Sequence, residues 1–164
     1  MFDGLENLES LFGNLKGKLF EILIGYLFQK RTNDTRLSWQ IEEGEESYDV
    51  DVVGIWGTEA TIVECKGVRS DGIVDQALVK RHFTKRTRLA REILLRDPLR
   101  RPNSFRSIVV TSGTFDPLAV EDLSSGAYGS KSDTTLELWD RSRLLQELRA
   151  IGHADLAVVV EKYF

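Results

Sequence analysis

Residues 8–30 carry apolar side chains at three- and four-residue spacings: Leu8, Leu11, Phe12, Leu15, Leu19, Ile22, Leu23, Tyr26 and Leu27. This predicts an amphipathic helix with a broad buried face. Beside it runs an i, i+4 stripe of Gly13, Gly17, Glu21 and Gly25. Each glycine costs a helix about 1 kcal/mol relative to alanine. Three on one stripe therefore predict close approach of another backbone, with Glu21 in the gap. The pattern then changes to strand-like runs at 37–42, 48–55 and 60–66, the last two joined by the turn Trp56-Gly57-Thr58-Glu59 as a hairpin. Residues 74–96 return to helical spacing, with Val79, Phe83, Ala90 and Leu94 on one side, and Pro98 and Pro102 close the segment. A strand at 107–111, a short helix at 117–122, a strand at 136–139 and a helix at 141–151 follow. Residues 156–160 read as a final strand or buried tail. Strands and helices in this order predict an α/β fold with a central mixed sheet flanked by helices.

The 164 residues, 41% hydrophobic and 29% charged, are enough for one domain (1–164, core about 8–151) and too few for two full-sized ones. The apolar content excludes a disordered tail. The richest apolar stretch, 20–28, is interrupted by Glu21 and falls short of the roughly 20 residues a spanning helix needs. Asp3, Glu6 and Glu9 stand where a signal peptide carries positive charge. One cysteine makes no internal disulfide, and with two histidines it is poor material for a zinc site. A soluble, cytoplasmic domain is the expectation.

The net charge of −4 does not announce a polyanion binder, but its distribution does more. Between residues 80 and 106 ten basic residues (Lys80, Arg81, Lys85, Arg86, Arg88, Arg91, Arg96, Arg100, Arg101 and Arg106) face two acidic ones, giving +8 there and −12 elsewhere. This predicts either a polyanion-facing surface, with Lys80, Arg81, Lys85 and Arg88 as nucleic-acid contacts, or a solvated arginine-rich face.

The hairpin carries the chemistry. Asp49 and Asp51 share a face of its first strand, and Glu64 and Lys66 share a face of its second, with Cys65 turned away. Carboxylates and a lysine in an otherwise apolar hairpin need a compensating partner, and a divalent cation suits them. Mg²⁺ takes one or two carboxylates and leaves its other positions to water and phosphate. A lysine beside it could reach the attacking water or the scissile phosphate. Glu64-Cys65-Lys66 is the one acidic-x-Lys tripeptide in the chain, 13 residues after Asp51.

This arrangement resembles the PD-(D/E)xK nuclease superfamily, with its restriction-endonuclease-like αβββαβ core, and within it the Mrr-type restriction endonuclease catalytic domain. The resemblance spans about residues 15–150. It rests on Gly17-Lys18-Leu19-Phe20-Glu21, the Asp-x-Asp strand, Val63-Glu64-Cys65-Lys66, the run 108–115, and 136–140 followed by Leu144 and Leu148. It implies a C-terminal extension beyond that core and a metal-dependent DNA endonuclease. Asp51 and Glu64 would bind the metal, Lys66 would position or activate the water, and Glu21 would tune the metal as a third acid. Gln76 would support the site or touch phosphate, with Lys80 a turn later. Asp49 is the alternative to Asp51; the hydrophobic pair after Asp51 favours the latter. Glu64 stands where Mrr-type proteins usually have glutamine.

The implied cofactor is Mg²⁺, with Mn²⁺ as substitute. The implied partner is DNA, structured or modified forms included, with a recognition domain or subunit from outside this chain. Cutting both strands of a duplex needs two sites, which favours a homodimer, and no membrane partner is expected. The rival readings are a non-catalytic nucleic-acid-binding or assembly module keeping the fold, and an RNase or junction-resolving nuclease. Elsewhere Cys65 reads as a core thiol, His82 as a surface histidine, Trp39, Trp56 and Trp139 as core or hairpin packing, and Ser112-Gly113 as a turn.

Overall fold

The computed structural model describes the backbone of residues 3–32 and 34–164, and the side chains of residues 11–32, 34–42 and 44–164. A long first helix, α1 (Asp3–Gln29), precedes a three-stranded meander, β1 (Asp34–Glu43), β2 (Glu46–Trp56) and β3 (Glu59–Lys66). After β4 (Ile73–Val74) comes a helical segment made of α2 (Gln76–Arg81), a π-helical turn (His82–Arg86) and α3 (Thr87–Arg96). β5 (Ser104–Thr111), β6 (Thr114–Phe115), α4 (Pro117–Ser124), β7 (Thr134–Trp139), α5 (Arg141–Ala150) and α6 (Ala154–Tyr163) complete the chain.

The central sheet has the order β1-β2-β3-β5-β7. The meander is antiparallel, whereas β3, β5 and β7 run parallel, so the sheet is mixed. The helical crossovers between the parallel strands cover one face and α1, α5 and α6 the other, so the parallel strands are buried on both sides. On one face Phe20, Ile24 and Leu27 of α1 pack with Val63, Cys65 and Ile108 of the sheet, Leu144 of α5 and Val160 of α6. On the other, Leu89 and Leu94 of α3 meet Val53, Ile62 and Phe105, and Val79 of α2 and Ala119 of α4 meet Val109. Asp75, Asp116 and Asp140 cap α2, α4 and α5 by accepting N–H bonds from Leu78, Leu118 and Arg143.

Two expectations are corrected. Residues 156–160 lie in a helix, because Ala157, Val160 and Phe164 are the buried positions, a helical spacing, while Val158 and Val159 face out. The face of α1 that meets the sheet is Phe20, Leu23, Ile24, Leu27 and Phe28; Leu11, Phe12, Leu15, Leu19, Ile22 and Tyr26 are exposed, and the Leu8 side chain lies outside the described residues. Of the tryptophans, Trp139 is buried and stacked on Phe28, while Trp56 is exposed at the hairpin turn.

Glu137 ties the parallel strands β5 and β7. Its carboxylate accepts from Arg106 Nε on β5 at 2.8 Å and from the Trp139 indole at 2.8 Å. Burial alone would push its pKa up, but the bonds from Arg106 and Trp139 hold it below the ordinary 4.5. A carboxylate lowered in the folded state contributes stability that is complete above its ordinary value and is lost as pH falls through the folded value. Glu137→Gln is therefore expected to be less stable than wild type at neutral pH and to lose less on acidification, as read from denaturant midpoints across an acid series.

Candidate active site

β2 and β3 stop pairing where the carboxylates begin. Their ladder runs from Trp56↔Glu59 to Val52↔Val63. Just beyond, the Cys65 N–H donates to the Asp51 side chain, at 2.7 Å from Oδ2. Alternation along β2 breaks at the same place: Val53 and Ile55 pack on the α3 side and Val52 on the α1 side, yet Val50 is back with the α3-side cluster. On β1, Ser38 lacks a partner across from Asp51 in the register and adopts φ 49°, a left-handed conformation uncommon for residues other than glycine. The sheet thus splays around Asp51, and the Asp51 carboxylate satisfies the backbone donor that the splay would otherwise orphan.

Glu64 is buried and turned into the α2–α3 layer. Arg86 Nη1 donates to its Oε2, and His82 Nδ1 lies 3.7 Å from the same oxygen. His82 is itself buried, with Nε2 3.0 Å from Ser107 Oγ, which bonds Thr87 Oγ1 at 2.6 Å. The π turn puts His82 and Arg86 beside one carboxylate, and π turns are frequent at functional sites. Burial pushes the Glu64 pKa up, but His82 and Arg86 more than offset it and hold it below the ordinary value.

On the α1 side, a cleft of about 260 Å³ is lined by Gly13, Gly17, Lys18, Glu21, Lys66 and Gly67, among others. Lys66 is exposed there at the end of β3. Lys18 Nζ bonds Glu21 Oε2 and Ser38 Oγ, each at 2.6 Å. Asp51 is electrostatically coupled to both groups: burial first, then the charge of Glu64 and, less, of Glu21 raise its pKa to about 7 against the pull of the Cys65 N–H and Arg86. Cys65 packs in the core, its thiol pushed well up by burial, then by Asp51 and Glu64.

The sequence-derived residues therefore divide. Asp51, Glu64 and Glu21 share one electrostatic neighbourhood, and Lys66 and Glu21 share one cleft. Glu64 and Lys66 do not present one face: Glu64 is drawn beneath the sheet by Arg86, and Lys66 leaves the strand into the cleft. Asp49 is exposed. Gln76 is engaged elsewhere, its Nε2 donating to Asp122 Oδ2 at 2.6 Å and tying α2 to α4. Among the described residues, no other backbone approaches the glycine stripe. A Cβ at Gly13 or Gly17 would meet open space, so these glycines widen the cleft, while at Gly25 the Leu37 side chain comes close. The sequence reading missed Arg86 and His82 as site residues, and His82 is not a surface histidine.

Among the described residues, six of the ten basic residues between 80 and 106 are drawn into ion pairs: Lys85, Arg86, Arg88, Arg91, Arg100 and Arg106 with Glu46, Glu64, Glu92, Asp133, Asp34 and Glu137. Much of the local excess is thus neutralised by the acidic remainder of the chain. Lys80 and Arg81 stand exposed on α2.

No protein-family model and no curated protein matches the chain. Among solved structures, the crystal structure of AF1548, a protein of unknown function, shares the fold: 14% identity, TM-score 0.51, covering 77% of this chain and 63% of that one. The MspJI restriction endonuclease in complex with a 27-mer oligonucleotide is also similar, with 17% identity and a TM-score of 0.47, over 95% of this chain and 33% of that one. The chain thus spans less than two thirds of the length of either. No described helix is long and apolar enough to cross a membrane.

Among the described residues, no three His, Cys, Asp or Glu side chains converge as a ready-made metal cluster. A magnesium ion needs fewer protein ligands, one or two carboxylates with water and phosphate completing the shell. Asp51 and Glu64 supply such hard oxygens. Burial is the first cause of the Asp51 shift and the charge of Glu64 the second, so these two carboxylates lie near enough to interact. The donor set therefore fits a divalent cation, which would compete with Arg86 for Glu64.

Proposed function

We propose that this chain is a divalent-metal-dependent nuclease of the PD-(D/E)xK type, closest to the Mrr-type catalytic domain, that hydrolyses phosphodiester bonds in DNA. The observation that carries this reading is the splay of β2 from β3 at Asp51, with the Glu64 charge against it and Lys66 opening beside Glu21. Asp51 and Glu64 would hold Mg²⁺ or Mn²⁺, which supplies charge to a phosphate oxygen and lowers the pKa of a bound water. Lys66 would place its ammonium against the phosphate or the incoming water, where negative charge develops during displacement. Glu21, oriented by Lys18, would take up or return a proton at the open side of the cleft. Lys80 and Arg81 would contact the nucleic-acid backbone, with Lys85 and Arg88 released from their present partners.

A second reading is supported by the buried Arg86–Glu64 pair, which supplies Glu64 with a counter-ion already. A non-catalytic nucleic-acid-binding module would keep that pair closed and bind without turnover. Incubation with supercoiled plasmid, linear duplex, single-stranded DNA and RNA, with Mg²⁺, Mn²⁺ or EDTA, separates the two. The nuclease cleaves DNA only with metal and loses that activity in Asp51→Ala and Glu64→Ala. Binding without cleavage of any substrate overturns the nuclease in favour of the module, and preferential cleavage of RNA changes the substrate class.

A further inference from the structure

Helix α1 carries a second apolar stripe that the fold leaves unused. Phe12, Leu15, Leu19, Ile22 and Tyr26 are separated by 3, 4, 3 and 4 residues, and their exposure runs from 65% at Phe12 to 37% at Tyr26. In the sequence the same spacing continues backwards through Leu8 and Leu5. Strict 3-4 spacing is the seam of helices that pack along one another, and it is narrower than the face a helix lays on a sheet. Here the sheet-facing residues are a different set, Phe20, Leu23, Ile24, Leu27 and Phe28. The two requirements on α1 are thus met by two sides of one helix, and among the described residues only one is satisfied.

A groove adjoins the stripe. Between α1 and α6 lies a cavity of about 460 Å³ whose walls include Phe12, Leu15, Leu19, Val159, Tyr163 and Phe164. Its lining is apolar apart from Lys16, whose Nζ sits 5.5 Å from the centre of the Phe164 ring. We propose that this surface is the interface of a homodimer, in which the α1 stripe of one copy packs along α1 of a second and fills its α1–α6 groove.

The second copy is the occupant that these features describe. The groove is lined almost wholly by apolar side chains, and the exposed 3-4 stripe of α1 runs along it. Phe12, Leu15 and Leu19 of the stripe are also a wall of the groove, so the two form one continuous apolar patch that a second copy can meet with the same patch, as in a twofold, isologous contact. The size agrees as well. With Val159 and Tyr163, the exposed parts of the stripe amount to on the order of 700 Å² per copy, close to the ~800 Å² each partner gives to a stable interface and above the patch a typical monomer leaves open. The dimer does not depend on the nuclease reading. If that reading holds, the helix that joins the copies also carries Lys18 and Glu21, so the two clefts would be fixed relative to one another through α1.

The test is the mass of the whole chain in solution, by light scattering after size exclusion over a dilution series. The expected value is twice the 18.6 kDa of one chain, falling to one chain in the variant Leu19→Glu/Ile22→Glu. Both residues are exposed in the monomer, so the variant keeps its fold, checked by circular dichroism. Val120→Glu, an exposed apolar position on α4, stays dimeric. Leu15→Cys gives a second reading without added charge: oxidation yields cross-linked dimer above the wild-type level, and no increase counts against the α1 interface. Wild-type monomer throughout the series overturns the proposal, and so does a dimer that persists in a folded Leu19→Glu/Ile22→Glu.

Discussion

Lys66→Ala is expected to reduce phosphodiester cleavage by on the order of 10²–10³-fold, the loss that follows removal of one preorganised electrostatic contact to a transition state. Its unfolding free energy should stay within about 0.5 kcal/mol of wild type, the usual range for a surface change away from caps and buried networks. The reasoning uses where β3 ends. Lys66 is its last residue and is exposed in the cleft, whereas Cys65 and Glu64 before it are buried. Removing its ammonium therefore takes charge from the cleft without opening the core. Lys66→Arg keeps the charge but spreads it over a planar fork, and recovers part of the rate. Parallel measurement of cleavage and of equilibrium binding to uncleaved duplex separates the roles. A loss confined to binding would make Lys66 a docking contact and overturn its part in the chemistry.

The second large effect concerns stability. Arg86→Ala should destabilise the fold by about 3–5 kcal/mol, because it strands the buried Glu64 charge. Both partners are mostly buried, their side chains 18% and 9% exposed. His82, held at Nε2 by Ser107, offsets part of the Glu64 charge, but its Nδ1 stands 3.7 Å from the carboxylate, beyond hydrogen-bond distance, so it does not replace Arg86. The companion is Arg86→Met with Glu64→Gln, which removes both charges and keeps the volume. It should recover most of the loss in urea denaturation, since replacing both members of a buried pair is often close to neutral. Equal losses in the single and the double variant would locate the effect in the packing of the π turn instead of in the ion pair.

The meander was legible because strand alternation and a two-residue turn are local signals. Asp51, Glu64 and Lys66 could be placed on adjoining strands from spacing alone. Their true orientation could not, since it depends on where β2 and β3 part, and that turns on Ser38 of β1 and the Cys65 amide of β3, both against Asp51. Arg86 was counted among surface cations because a partner 22 residues away leaves no periodic trace. Helix α1 misled for a different reason. It has two apolar stripes, and composition does not say which one meets the sheet. For α6, the run Val158-Val159-Val160 has strand propensity, yet burial at Ala157, Val160 and Phe164 overrides it.

The bond from the Cys65 amide to Asp51 gives the protein an internal reporter. In the interior of a regular ladder that amide would face a carbonyl and respond to little but unfolding. Here its acceptor is a side-chain carboxylate in the candidate metal centre. A cation or a proton taken up by Asp51 changes the charge on the acceptor of this one bond. A ¹⁵N-labelled sample would therefore register occupation of the site in the Cys65 resonance before any substrate is added, and the neighbouring Val63 amide serves as the silent reference within the paired part of the strand.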